Sequence, residues 1–401
     1  MKKFLLIVGA ICTLCFLFVG CSNSTKKPII VESEGYRYNL ILWEFKNLPD
    51  KIIHKIKTKN NTDTFYKTLV WELAEISKKI RKEQEIKNQT DPQEVSLKQL
   101  IIKRNNIRDE VEEYLESLLS QEIKNQKLSI FGRLIWPPVD FRIDNPPKLL
   151  VVSPRSEIVR SNEILINPDI EIHQMEVIEN NLKKKHNLSG LVIQTGGLAS
   201  YPTVVPSDVD LRELLEIAAH EWLHAYLIFQ PLGRGYFKGG EMVTINESLA
   251  DMFGRELGGR VYSNLLGVPF EEPERPVFFE ATEEKLAGFD FNNHLRETRL
   301  EVESLLSDGL VLEAENYMEK RKNEINSHGY NIRKINQAYF AFHGSYGSSP
   351  SSISPVANYL WDLREQSKTI GELIHIMEDV SDYEEFEQIL INRGLTVFYN
   401  N

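Results

Sequence analysis

The stretch LRELLEIAAHEWLHAYLIF, residues 211–229, decides how we interpret the fold of this chain. After Glu216 its residues are apolar except for His220, Glu221 and His224. A helix that is apolar on all sides is buried, and polar side chains on a buried helix need partners. We therefore expect a helix at the centre of the molecule whose three polar residues meet other polar groups.

The spacing of these polar residues is typical of a zinc site. His220 and His224 are four positions apart, so both imidazoles leave the same face of the helix, one turn apart. Two neutral imidazoles in that arrangement can bind one zinc ion. Glu221 projects beside them, where its carboxylate can take a proton from water. Such a site still needs a third protein ligand.

The segment TINESLAD, residues 244–251, supplies a candidate for the third ligand. Glu247 and Asp251 are again four positions apart, on one face of a second predicted helix. Glu247 can complete the metal site, and Asp251 can accept the free ring N–H of His220 or His224 and so fix its tautomer. The sequence therefore predicts one zinc ion per chain, with Glu221 as the general base.

At these residues the chain resembles the gluzincin metallopeptidases, the group that includes thermolysin and the large zinc aminopeptidases. The resemblance rests on the pattern His-Glu-x-x-His at residues 220–224 and Asn-Glu-x-x-x-Asp at residues 246–251, and it covers about residues 190–260. It implies that the paired histidines and the later glutamate bind zinc, that the motif glutamate is the base, and that the aspartate supports a ligand. The chain also looks like bacterial lipoproteins described as aminopeptidases.

Other interpretations of the same residues stay open. His220 and His224 could be core histidines with satisfied hydrogen bonds, or the zinc could be purely structural. Closed structural zinc sites usually recruit a fourth protein ligand, mostly Cys, and the chain has no Cys after residue 21. Three ligands with an adjacent carboxylate favour a catalytic centre. The alternative from another class is a non-catalytic envelope lipoprotein with a structural or degenerate metal site, acting as an interaction scaffold.

Hydrolysis of a peptide bond also needs a donor for the developing oxyanion. The resemblance to gluzincins implies a Tyr or His from a later helix, and His343 and Tyr346 follow a predicted helix in AYFAFHGSY, residues 338–346. Both could equally be packing residues at the end of that helix. Tyr236, in a Gly-rich turn after the first zinc helix, is a further candidate.

The stretch Leu191–Pro202 precedes the first zinc helix and reads as a strand. In gluzincins an edge strand at this place pairs with the extended peptide substrate, and Gly196 and Gly197 would allow close backbone approach. The alternative is an ordinary bulged strand. Zinc aminopeptidases carry a Glu here that holds the free amine of the substrate, and residues 192–202 contain none. Whether the peptidase cuts within chains or at their ends therefore stays open.

The rest of the pattern predicts an α+β protein. We expect an N-terminal helical segment, a small mixed sheet and then a mostly helical zinc domain. The N-terminal helices read as a pair packed on the main body, with a partner-binding coiled coil as the alternative. The predicted boundaries are a signal peptide at 1–21, a tether and helical segment at 22–130, and a metallopeptidase domain at 131–401, with the sheet at 136–205, the zinc helices at 208–260 and a helical C-terminal part at 283–398.

The start of the chain predicts a membrane anchor. Lys2 and Lys3 precede an apolar run that ends in FVGC, residues 18–21, which resembles the lipidation site of bacterial lipoproteins. We expect Cys21 to carry the lipid; the alternative is an uncleaved anchor helix. Both interpretations place the body in the cell envelope, outside the cytoplasm.

The formal net charge of −11 argues against nucleic acid as a partner. It also argues against adhesion to anionic lipid by charge alone, so the expected link to the membrane is covalent. The expected partners are a peptide or protein substrate and the membrane. The sequence does not determine the oligomeric state.

Overall fold

The computed structural model of the protein describes residues 27–47, 61–84, 91–275 and 289–397. These parts are mostly helical with a few short strands, so the predicted α+β class is confirmed. The predicted signal peptide, with Cys21, lies outside the described residues. None of the helices in the described ranges combines the length and the apolar character that crossing a bilayer requires.

The N-terminal helices pack on the main body of the protein. They are α1 (Pro28–Glu32), a helical stretch at 40–47, α2 (Asp63–Gln84) and α3 (Asp91–Asn125). Helix α3 begins at Asp91 and carries Pro92 in its first turn, where proline is well tolerated. Buried residues of α2 and α3, such as Leu73 and Leu115, belong to the same core cluster as Leu215 and Phe253. This confirms the prediction of a helical pair that packs on the main body.

The strands of the predicted sheet region form two small sheets. The elements are β1 (Phe141–Asp144), β2 (Lys148–Pro154), β3 (Asn162–Ile166), helix α4 (Ile172–His186), β4 (Leu188–Gln194) and β5 (Thr203–Pro206). Strands β3, β2 and β4 form an antiparallel sheet in that order, whereas β1 and β5 pair in parallel. Strand β5 has four residues and ends on Pro206, so it is too short to be predicted from its sequence pattern.

Two helices at the centre carry the predicted zinc residues. Helix α5 (Leu211–Leu227) begins after Asp210, whose side chain accepts the backbone N–H of Glu213 at 2.9 Å. A short helix α6 (Pro231–Gly235) and a 3₁₀ turn (Tyr236–Lys238) lead into α7 (Glu241–Leu266). Helix α5 lies within the region 208–260 predicted for the zinc helices, whereas α7 begins there and continues to Leu266.

Helices α5 and α7 cross in direct backbone contact at two glycines of α7. A Cβ atom placed on Gly254 would lie 2.6 Å from the carbonyl oxygen of Glu216, and one on Gly258 would lie 2.5 Å from its nitrogen. Any side chain at either position would therefore push the two helices apart. This contact sets the spacing between the residues that the two helices carry.

The C-terminal part is helical, as predicted. It contains α8 (Phe291–Ser307), α9 (Val311–Ser327), α10 (Gln337–His343), α11 (Val356–Gln366), α12 (Ile370–Met377) and α13 (Tyr383–Asn392). A serine-rich loop follows α10 and contacts α7, where the N–H of Gly347 donates to Ser248 Oγ at 3.0 Å. The loop thus braces the helix that carries Glu247.

Replacing Gly258 by Ala should destabilise the protein by about 1–3 kcal/mol, because the added methyl group overlaps the α5 backbone. Chemical denaturation measures the free energy of unfolding. Gly196→Ala is the matched control, since a Cβ atom there has no neighbour within 4 Å. Equal unfolding free energies for the two variants would show that the helices are not held by this contact.

Candidate metal centre

His220, His224 and Glu247 converge on one point between α5 and α7. The two Nε2 atoms of the histidines lie 3.1 Å apart. Glu247 Oε2 lies 3.7 Å from Nε2 of His220 and 3.5 Å from Nε2 of His224. The side chains are 15%, 16% and 6% exposed, so the group is largely shielded from solvent. The structure therefore brings together the three residues that the sequence predicted as ligands.

The spacing of these three atoms fits a tetrahedral metal ion. Zinc bonds of about 2.1 Å place the corners of a regular tetrahedron about 3.4 Å apart, close to the three distances observed. Within the described ranges, this is the one group of three or more His, Cys, Asp or Glu side chains close enough to hold a metal ion, and it has three members. Three protein ligands leave a tetrahedral position for water or substrate.

The charges of the site depend on one another. Burial opposes a charge on Glu247, but the two histidines outweigh it and hold the pKa of that carboxyl well below its usual range. Burial also opposes a charge on His220, yet the hydrogen bond to Glu247 and the nearby carboxylates raise the pKa of His220 to about 9. Without metal, a proton on the imidazole balances the buried carboxylate.

Glu221 is 9% exposed and faces the same cleft. Burial raises the pKa of its carboxyl, while the two histidines and a backbone hydrogen bond from Ala199 favour the ionised form. A Cβ atom on Gly197 would lie 2.7 Å from Glu221 Oε1, so the Gly196-Gly197 turn passes directly over the carboxylate. The close approach predicted for this glycine pair is therefore an approach to Glu221.

The site opens into a cleft of about 1520 Å³. Its walls come from α5, α7, the ends of the antiparallel sheet, the serine-rich loop and residues 37–44 of the N-terminal segment. Because the N-terminal segment forms part of this wall, the cleft is not confined to the predicted domain at 131–401. The cleft is large enough for an extended peptide, since small-molecule sites usually span about 300–1,000 Å³.

Asp251 lies in the cleft, one turn after Glu247. Its carboxylate accepts a hydrogen bond from Ser348 and forms an ion pair with Arg255 at 3.3 Å. Burial lowers the pKa of His220, and the Asp251 charge helps to raise it, after the larger effects of Glu247 and Glu221. The predicted hydrogen bond from a histidine ring N–H to Asp251 stays a prediction.

His343 and Tyr346 both line the cleft, but their surroundings differ. His343 packs against Tyr339 with ring centroids 4.3 Å apart, and burial lowers the pKa of His343 to about 4, which keeps its ring neutral. Burial and the Glu247 carboxylate raise the pKa of Tyr346 well above its usual value, so it keeps its proton. Tyr346 thus keeps an O–H that can be donated and is influenced by the Glu247 carboxylate, whereas burial alone shifts the pKa of His343.

The strand predicted at Leu191–Pro202 to bind substrate ends earlier in the structure. Strand β4 ends at Gln194, and residues 195–199 continue along the cleft without strand structure. The outer edge of β4 is already occupied, because the N–H of Val192 donates to Glu179 at 2.8 Å and its carbonyl accepts from Arg333 at 2.9 Å. A peptide cannot pair with β4 at this residue.

Sequence reasoning missed Arg160 and Glu163. Arg160 lies two residues before β3, and Glu163 is the second residue of that outer strand. Arg160 Nη2 lies 2.7 Å from Glu163 Oε2, and Arg160 Nη1 lies 3.9 Å from Glu247 Oε1. Both residues line the cleft. A charged pair beside an apolar strand is common, so the sequence contains no signal that marks these two residues.

No protein-family model matches this chain, and searches of curated proteins and of solved structures found no match. The comparisons therefore identify no family. The resemblance to gluzincins stays a prediction that rests on residues 220–224 and 246–251.

Metal binding should release about one proton per chain near pH 7, because a histidine ligand must be neutral and His220 is protonated below its pKa of about 9. The apparent affinity should rise with pH up to about 9 and then level off. Titration calorimetry with zinc in buffers of different ionisation enthalpy counts the protons. Binding without proton release would contradict these charges.

Proposed function

We propose that this protein is a zinc-dependent hydrolase, most simply a peptidase, that acts on a peptide or protein substrate. The observation that carries the proposal is the meeting of a buried, intact carboxylate, Glu221, with three metal-binding side chains in an open cleft. A scaffold with a structural or degenerate metal site has no use for that carboxylate. The cutting mode, within chains or at their ends, stays open.

Each residue has a role in this chemistry. His220, His224 and Glu247 would hold zinc, which supplies Lewis acidity that polarises a carbonyl and makes water more acidic. Glu221 accepts a proton from the attacking water and delivers it to the leaving amine. Burial raises the pKa of Glu221, which makes its carboxylate a stronger base for the first step.

Tyr346 is our choice as the donor to the developing oxyanion. It keeps its proton and lines the cleft beside Glu247. A fixed donor in a buried site stabilises negative charge more strongly than water does. His343 stays the second candidate, since its neutral ring can also donate one N–H.

We further propose that the protein is attached to a bacterial membrane through a lipid on Cys21. Residues 22–26 alone separate that cysteine from the first described residue, Lys27. The six Cα–Cα steps from Cys21 to Lys27 span at most roughly 20 Å. Substrates would then be peptides or proteins that reach the surface of the membrane.

Replacing Glu221 by Gln should leave zinc bound and abolish hydrolysis, because the amide keeps the shape of the side chain but cannot take the proton. Zinc content and the cleavage of a set of free and N-acetylated fluorogenic peptides measure the two effects. Glu319→Gln is the matched control, since Glu319 is 60% exposed on α9.

Full activity of Glu221→Gln would end the assignment of the base. If the zinc-loaded native protein cleaves none of these peptides and none of the peptides in a protein digest, the non-catalytic scaffold is favoured.

A further inference from the structure

The two oxygens of the Glu247 carboxylate have different surroundings. Oε2 faces the histidines, at 3.7 Å from His220 and 3.5 Å from His224. Oε1 faces away from them and accepts the hydroxyl of Tyr236 at 3.2 Å. Arg160 Nη1 lies 3.9 Å from the same Oε1, an ion-pair distance, and donates a hydrogen bond to Ser345 Oγ at 3.5 Å. One oxygen is thus directed at the metal position, and the other accepts one hydrogen bond and lies near one positive charge.

We propose that Tyr236 and Arg160 are positioning residues that keep Glu247 a monodentate ligand, so that a coordination position stays open. The inference rests on the proposed metal centre and deepens it. A carboxylate can bind a metal through one oxygen or both, and a second bond from Oε1 would compete with water or substrate for the open position. The hydrogen bond from Tyr236 and the positive charge of Arg160 both hold Oε1 and so oppose that second bond.

Arg160 and Tyr236 are themselves held in place. Arg160 is 13% exposed, and its guanidinium lies 5.2 Å from the ring centre of Phe342 and 5.8 Å from that of Tyr236. Its charge is matched by Glu163, at 2.7 Å. Because Glu163 balances the cation, Arg160 can lie beside Glu247 without placing an uncompensated positive charge next to a metal ion.

The assignment also limits what Tyr236 can do in catalysis. A tyrosine has one O–H to donate, and that of Tyr236 is given to Glu247. Tyr236 is therefore not available as a donor to the oxyanion while it holds Glu247, whereas Tyr346 has no such commitment to this oxygen.

The test is the visible absorption spectrum of the full protein loaded with cobalt(II) in place of zinc. Four-coordinate cobalt absorbs much more strongly than cobalt with five or six ligands, so the intensity reports the coordination number. The variants are Tyr236→Phe, which removes one oxygen, and the double variant with Arg160→Met. Tyr339→Phe is the matched control, because Tyr339 is a largely buried tyrosine that packs on His343.

We expect the two variants to bind one cobalt ion per chain and to lose most of the native visible absorption, while the control keeps it. Thermal unfolding of the metal-free proteins shows whether each variant is folded, and Tyr236→Phe alone suffices if the double variant is not. Folded variants with the native spectrum would overturn the inference and leave the metal centre standing. A folded native protein that binds neither cobalt nor zinc would overturn the proposed function as well.

Discussion

The backbone contact between α5 and α7 is the constraint on which the rest of the structure depends. Gly254 and Gly258 let the two helices touch, with no side chain between them. His220 and His224 on one helix and Glu247 on the other can then meet across a gap that one ion would fill. With bulkier residues at the crossing, these ligand atoms would separate and no single ion could contact all three.

The cost of burying charge explains much of what surrounds this crossing. Glu221 and Glu247 are both buried, and ionised carboxylates lose several kcal/mol of solvation in such a place unless they find partners. Histidines on α5, the Tyr236 hydroxyl and Arg160 supply those partners for Glu247. A divalent cation would replace the proton on His220 in the same role. The apolar helix around the site excludes water and so strengthens each of these interactions.

Residues close together in the sequence could be predicted, because helical spacing fixes their relative positions. The pairing of His220 with His224 follows from a separation of four residues. Glu247 is a polar residue on an apolar helix, and such a residue needs a buried partner. The α+β class followed in the same way from the change of pattern after residue 136. The histidine pair and the fold class depend on local patterns, whereas Glu247 was predicted because a zinc site needs a third protein ligand.

The parts that could not be predicted depend on contacts between distant segments. Arg160 lies near Glu247 because the segment before β3 and helix α7 line the same cleft, and no local pattern marks that approach. The pairing of β1 with β5 joins segments some sixty residues apart in parallel, and the occupied edge of β4 depends on Arg333 from far along the chain. Sequence spacing does not contain this information.

The most direct test of the account is the metal content of the purified protein beside that of its His224→Ala variant, both supplied with zinc. Elemental analysis should find about one zinc ion per native chain and none in the folded variant, because two remaining ligands do not hold the ion tightly. A folded native protein without zinc, or a variant that keeps its zinc, would contradict the metal centre described here.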